Sequence, residues 1–292
     1  MNSQFSKGLL LTSLGSFWWG FIGVIYFEYV SFIGHIELVV HRCLWTAVML
    51  VFTTTFLSKW KIFFREIKIK KKLLALLLSG LLIFINWSIW IYAVATNRII
   101  DASFGYFIMP IISVMLGYFF FNETLNKKRI ISILLVFISI IILVFFNLKS
   151  LPWVGLIVAL SWAFYNLVRK KILIDTDIGL LIESLYIFPF AIFVFYLISK
   201  SGFNNFNLES PGLSLILLLA GPMTVIPLFL YVRGVELIGL GPTGMIFYIT
   251  PTLQFILGYF YYNEDFSIVK FVSFIIIWIA VIIYLKDLYE TN

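Results

Sequence analysis

Charge is what this chain has least of. Asp, Glu, Lys and Arg supply 12% of its 292 residues, about half the share of an ordinary soluble domain. Such a chain could not clothe a water-exposed globule, so that class is excluded. Cysteine is nearly absent: Cys43 stands alone inside an apolar run, which excludes an intramolecular disulfide framework and any cysteine-based metal site. Two histidines, His35 and His41, cannot build a metal centre by themselves. The sequence has no HExxH, no paired intramembrane aspartate and no Gly-rich nucleotide loop, so an intramembrane enzyme, the main rival from another class, lacks its parts. No filter-like repeat or charged ring marks a channel. No cofactor and no metal are expected.

Apolar runs fill the space that charge leaves. Hydrophobic residues make up 62% of the chain, and the mean hydropathy is +1.05. Leu73–Asn97 and Leu237–Asn263 carry no charge at all, and each exceeds the roughly 20 residues a helix needs to cross a bilayer. The expected fold is therefore an all-α polytopic membrane protein. Ten transmembrane helices are expected, at residues 8–28, 35–57, 73–96, 99–121, 128–147, 152–170, 178–198, 212–232, 239–262 and 267–285. The first run, Gly8–Phe27, is too long for a signal-peptide core and reads as a retained span.

Lysine and arginine give the expected orientation. With a cytoplasmic N-terminus, 16 cations fall on the inner side, among them the seven between Lys59 and Lys72 and the group Arg169–Lys171. Only 4 fall outside: Arg98, Lys149, Lys200 and Lys270. Both termini are then cytoplasmic, and the net charge of +7 is a topological signal, with no nucleic-acid partner implied. The basic loops are solvated and can touch anionic lipid.

The chain also repeats itself. PIISVMLGYFFFNE at Pro110–Glu123 and PTLQFILGYFYYNE at Pro251–Glu264 share half their positions at an offset of 141 residues. Gly80 matches Gly221 at that offset, and Asn126 matches Ser267, each placed to cap a following helix. Five spans in each half force equivalent segments to run in opposite directions, giving two inverted five-helix repeats, residues 1–147 and 148–292.

The stretches HRCLWT at His41–Thr46, INWSIWIYAVATNRIIDASFGYFIMP at Ile85–Pro110 and YITPTLQFILGYFYYNE at Tyr248–Glu264 resemble the drug/metabolite transporter superfamily. The likeness is to ten-span proteins of two EamA-type halves, and more narrowly to the RarD group, over essentially the whole chain. The resemblance implies a bacterial inner-membrane transporter with alternating access around a cavity between two four-helix bundles. It does not imply a substrate. The expected function is secondary active transport of a small organic metabolite or drug-like solute, outward, by proton coupling or exchange. Uptake is the alternative direction. Expected partners are the solute and the lipid bilayer, with the protein a monomer or homodimer.

Charge at membrane depth costs roughly 2.5–3.5 kcal/mol even on lenient scales, so the few such residues are candidates for coupling. Glu37 and His41 are four apart and share a helix face; the pair serves either proton coupling or span packing. Arg42 points about 140° from Glu37 and can meet an anion or carbonyls of another helix. Glu183 must find a donor across the bundle, as a proton carrier or as an interhelical hydrogen-bond partner. Candidate lining residues are Trp18 and Trp19 in span one, Asn86, Trp90, Tyr92 and Asn97 in span three, and Tyr165 and Asn166 in span six. Tyr106, Tyr231 and Tyr248 join them. An aromatic stripe with polar handles suits an apolar or zwitterionic solute, or a cation on its ring faces; packing and interfacial anchoring are the other reading. Pro110 and Pro251 remove helix hydrogen bonds and are candidate gating points. In the repeat, LGYF and NE read as scaffold, while the prolines with Tyr106 and Tyr248 read as its functional edge.

Overall fold

A computed structural model describes residues 3–95, 99–147, 153–202, 204–261 and 268–291. Among them every regular element is helical, as bilayer burial requires, because a helix satisfies its own backbone polar groups. The first rod runs Ser3–Tyr29: α1 (Ser3–Phe17), a π-helical turn (Trp18–Ile22) and α2 (Gly23–Tyr29). Next come α3 (His35–Phe56), the short α4 (Trp60–Glu66), α5 (Lys70–Ala95), α6 (Ile99–Phe121) and α7 (Lys127–Asn147). The second half comprises α8 (Trp153–Lys171), α9 (Thr176–Lys200), α10 (Pro211–Leu218), α11 (Ala220–Ile238), α12 (Leu240–Ile246), α13 (Ile249–Phe260) and α14 (Ile268–Thr291).

Seven helical segments among the described residues are long and apolar enough to cross a membrane. Three expected spans are not among them: α6, whose fully described part Gly105–Phe121 is a shorter apolar helix, and those near α8 and α12–α13, for local reasons. The C-terminal turn of α8 carries Arg169, Lys170 and Lys171. The expected span 239–262 is interrupted at Phe247–Tyr248. Pro251 has no N–H to return to the Phe247 carbonyl; the Thr250 N–H takes that carbonyl instead, at 2.9 Å. Pro251 thus falls in the first turn of α13, where a missing donor costs little.

One large core joins α3, α5, α8, α9 and α11 around Leu50, Trp87, Trp162, Leu181 and Tyr231. A second joins α6, α7 and α14 around Val136, Tyr248 and Ile277. Phe52, Phe56, Phe145 and Phe146 face outward, as lipid-contacting side chains do. The α7–α14 pair is held at one end by ions as well as packing. Asp287 accepts from Arg129 Nε at 2.9 Å and from Asn126 Nδ2, while Asn126 Oδ1 caps α7 through the Arg129 N–H. Ser267, its counterpart in the repeat, lies outside the described residues.

Candidate functional site

A cavity of about 560 Å³, counted to its open mouth, lies between helices of both chain halves. The first rod contributes Trp19, Gly23, Val24 and Phe27, and α3 contributes Arg42. Asn86, Trp87 and Trp90 come from α5, Tyr106 from α6 and Trp162 from α8. The break between α12 and α13 supplies Phe247, Thr250 and Gln254. The π-turn presents Trp19 here, held by a Gly23 N–H bond to the Trp18 carbonyl five residues back; such turns recur at functional sites. Trp19 packs edge-on against Trp162 at 5.1 Å and near Tyr231 and Phe247.

Among the described residues of that wall, Arg42 is the one side chain with a permanent charge, and it is buried. Its Nε donates to Thr224 Oγ1 at 3.0 Å, and Thr224 passes its own proton to the Ala220 carbonyl. The guanidinium lies 4.6 Å from the Trp87 ring centroid and 5.0 Å from that of Phe27. Among the described residues no carboxylate comes within ion-pair distance of it. Asn86 is bound on its amide side, donating to the Val158 carbonyl at 2.9 Å and to Ser161 Oγ at 3.1 Å.

A second, much smaller pocket shares Trp87 and reaches Glu183. Glu183 is the centre of a buried polar cluster: Ser79 Oγ donates to Oε1, Tyr165 OH donates to Oε2 at 3.2 Å, and Arg169 Nε stands 3.6 Å from Oε1. Arg169 is fully buried. It also donates to the Thr176 carbonyl and approaches Glu236 at 3.9 Å. The donor that Glu183 needed is thus found on α5 and α8. Arg169, grouped by sequence with the solvated basic residues, belongs to the interior.

Glu37 and His41 meet at 3.5 Å but stand outside both cavities. Glu37 accepts from the backbone N–H and Nδ2 of Asn205, at 2.7 and 2.8 Å. Trp45 Nε1 donates to His41 Nδ1 at 3.0 Å, which leaves the ring proton on Nε2, towards Glu37. The pair ties α3 to the 204–210 loop, with Phe206 packed on the imidazole.

Of the remaining candidates, Trp19, Asn86, Trp90 and Tyr106 line the large cavity, and the other described ones do not. Trp18 is half-buried, with its indole N–H unpartnered. Tyr92 packs on Trp153, and Asn97 lies outside the described residues. Asn166 donates to the Trp162 carbonyl. Tyr231 stands behind Trp19 and Trp162, its hydroxyl on the Thr243 carbonyl. Tyr248 OH donates to the Phe107 carbonyl at 2.7 Å, which makes it core. Pro110 sits inside α6.

Phe27, Thr224, Phe247, Gln254 and Arg169 were missed by reasoning from sequence. Helical spacing offered part of the signal: Trp19, Gly23 and Phe27 recur every four residues, and Phe247, Thr250 and Gln254 at three and four. Thr224 and Arg169 carry no such mark.

The NE ending of the first repeat also acquires a partner. Glu123 accepts the backbone N–H groups of Leu240 and Gly241, both at 2.8 Å, and pairs with Lys170 at 3.0 Å. Gly239, at φ +95°, makes the turn that aims those N–H groups. Gly117 leaves room for this carboxylate, whose Cδ would lie 2.7 Å from an added Cβ.

Residues 6–145 match the EamA-like transporter family. The chain is 33% identical to the uncharacterized transporter YojE of Bacillus subtilis, over 97% of this chain and 95% of that one. It is 32% identical to protein RarD of Salmonella typhi, over 99% and 98%, and 31% identical to protein RarD of Escherichia coli, over 99% and 97%. A crystal structure only 12% identical in sequence shares the fold, with a TM-score of 0.68 over 94% of this chain and 96% of the other.

Proposed function

Since the chain belongs to the EamA-like transporter family, in the RarD group of the drug/metabolite transporters, we propose that it is a secondary active transporter of the bacterial inner membrane. It moves a small organic metabolite or drug-like solute by alternating access, outward, with proton coupling or exchange. The observation that carries this reading is the aromatic cavity with its buried guanidinium, built between helices of both halves.

The reading includes ten spans in two inverted repeats, and the packing supports it. Contacts recur in exchanged pairs: α1 packs on α11 as α8 packs on α5, and α3 packs on α11 as α9 packs on α5. The contact of α6 with α8 has its counterpart in α13 with the π-turn. The pairs α3–α9, α6–α12 and α7–α14 exchange with themselves. Arg42 and Glu183 stand at the repeat offset, 183 − 42 = 141, so the two halves place opposite charges at equivalent points. Glu183, buried beside Arg169 and the small cavity, is the coupling residue in this reading. Glu37–His41 serves as a loop anchor.

The cavity draws on the later part of the first rod, the later part of α5 and the start of α6. The end of the bundle opposite this mouth is tied by Glu123 to α12 and Lys170, and by Lys59 to Asp177. In this orientation the structure is open outward and closed inward.

The lone, buried Cys43 makes a direct test simple. In a Cys43→Ala background, Val24→Cys is expected to react with an impermeant maleimide added outside cells and to resist it in everted vesicles. Reaction from both faces at equal rates would indicate a channel. Reaction from neither would remove the cavity from any transport path.

A further inference from the structure

From the charge of the cavity we infer that its solute is an amphipathic anion, a carboxylate or an equivalent acidic group carried on a flat apolar body. This deepens the transport reading of the same cavity and rests on it. Among the described residues the wall holds a guanidinium and no carboxylate. Of the five N–H donors of Arg42, only Nε has a protein acceptor among the described residues, Thr224 Oγ1. Both terminal nitrogens are left for an acceptor that enters the cavity, and a planar two-oxygen group matches their fork.

The same contacts argue against a cation. Ring faces attract positive charge, but the faces of Trp87 and Phe27 are already covered by Arg42. A cationic solute would meet like charge, with no acid among the described lining residues to offset it. The apolar body has its own place against Trp19, Trp90 and Phe247. Gln254, which makes no hydrogen bond among the described residues, offers an amide for one further polar group. Among the described residues the buried Arg42 has no carboxylate partner, and desolvation opposes keeping its charge there.

The test uses the full-length purified protein and three matched probes: 3-phenylpropionate, 3-phenylpropionamide and 3-phenylpropylamine. Binding is read by thermal shift and by tryptophan quenching. The carboxylate is expected to bind saturably and at least tenfold more tightly than the amide or the amine. In Arg42→Gln that preference disappears, while the Tm of the unliganded protein stays level or rises. Arg42→Lys, which keeps the charge but loses the fork, retains part of the preference.

Equal or tighter binding of the amine or amide overturns the inference, as does silence of all three probes or a preference that survives Arg42→Gln. A fall of several degrees in the unliganded Arg42→Gln protein also overturns it, because the guanidinium would then be serving the protein. These failures differ from failure of the transport reading, which is decided by Val24→Cys labelling without any ligand.

Discussion

Truncating Glu123 to alanine removes one carboxylate that holds two distant parts of the chain together. Its two oxygens accept the Leu240 and Gly241 N–H groups at 2.8 Å each. These are first-turn donors of α12, with no carbonyl of their own helix to meet. A hydrogen bond to a charged acceptor contributes about 1.5–3 kcal/mol, so the pair contributes about 3–6 kcal/mol. The ion pair with Lys170 adds little, about 1 kcal/mol at most, because both side chains keep contact with solvent. Water reaching the gap would rehydrate the freed donors and draws the expected loss to the lower end, about 3 kcal/mol.

At about 2–4 °C per kcal/mol, Glu123→Ala should lower the Tm by about 6–12 °C. Glu123→Gln keeps one oxygen and should lose about half as much, and Lys170→Gln should lose less than about 1 kcal/mol. The assay is thermal unfolding in detergent, followed by intrinsic fluorescence of the nine tryptophans. On the proposed orientation the same substitution should raise labelling of the Val24→Cys cavity from the inner face, the side the clamp would close. A Tm within 2 °C of wild type, or Lys170→Gln as damaging as Glu123→Ala, would refute the clamp.

Two further outcomes follow from the buried charges. A Cβ at Gly179 would overlap the Arg169 guanidinium, 2.7 Å from Cζ, so Gly179→Ala should push Arg169 away from Glu183 and cost about 3–5 kcal/mol; a Tm equal to wild type would show that the arginine has another place to go. Outside the membrane, the buried Glu66 carboxyl is held below its ordinary value of about 4.5 by the Lys72 ammonium at 2.6 Å, with Arg65 assisting. As pH falls through 4.5 the unfolded chain takes up the proton first, so the stability this group contributes is full above that value and is lost below it. Glu66→Gln should flatten the acid limb of Tm against pH and leave the slope above pH 5 unchanged; parallel curves would exclude it.

The helical membrane class, the family and the boundaries of the strongly apolar spans were legible from residue order. Asn126 as a helix cap was legible too, because capping acts over three residues. The break at Phe247–Tyr248 was written in Pro251, although an unbroken span was expected. The site was legible in part: Asn86 and Trp90, four apart on one helix face, line the cavity, as do Trp19, Arg42 and Tyr106. Tyr165, Tyr231 and Tyr248 were plausible by residue type alone, and their hydroxyls turned out to serve Glu183 and two backbone carbonyls.

What the sequence determines by itself is additive along the chain. Each apolar residue contributes to partition independently, and a helix closes its hydrogen bonds within four residues, so class and span follow without knowledge of neighbours. Which charges meet is not additive. Arg42 and Thr224 are 182 residues apart, Ser79 and Glu183 are 104 apart, and Glu123 reaches α12 across 117 and 118. Those meetings depend on how each helix is rotated and seated against the next. Only the tertiary structure decides that Arg42 stands over a cavity, its terminal nitrogens without an acceptor among the described residues, while Arg169 is spent on Glu183.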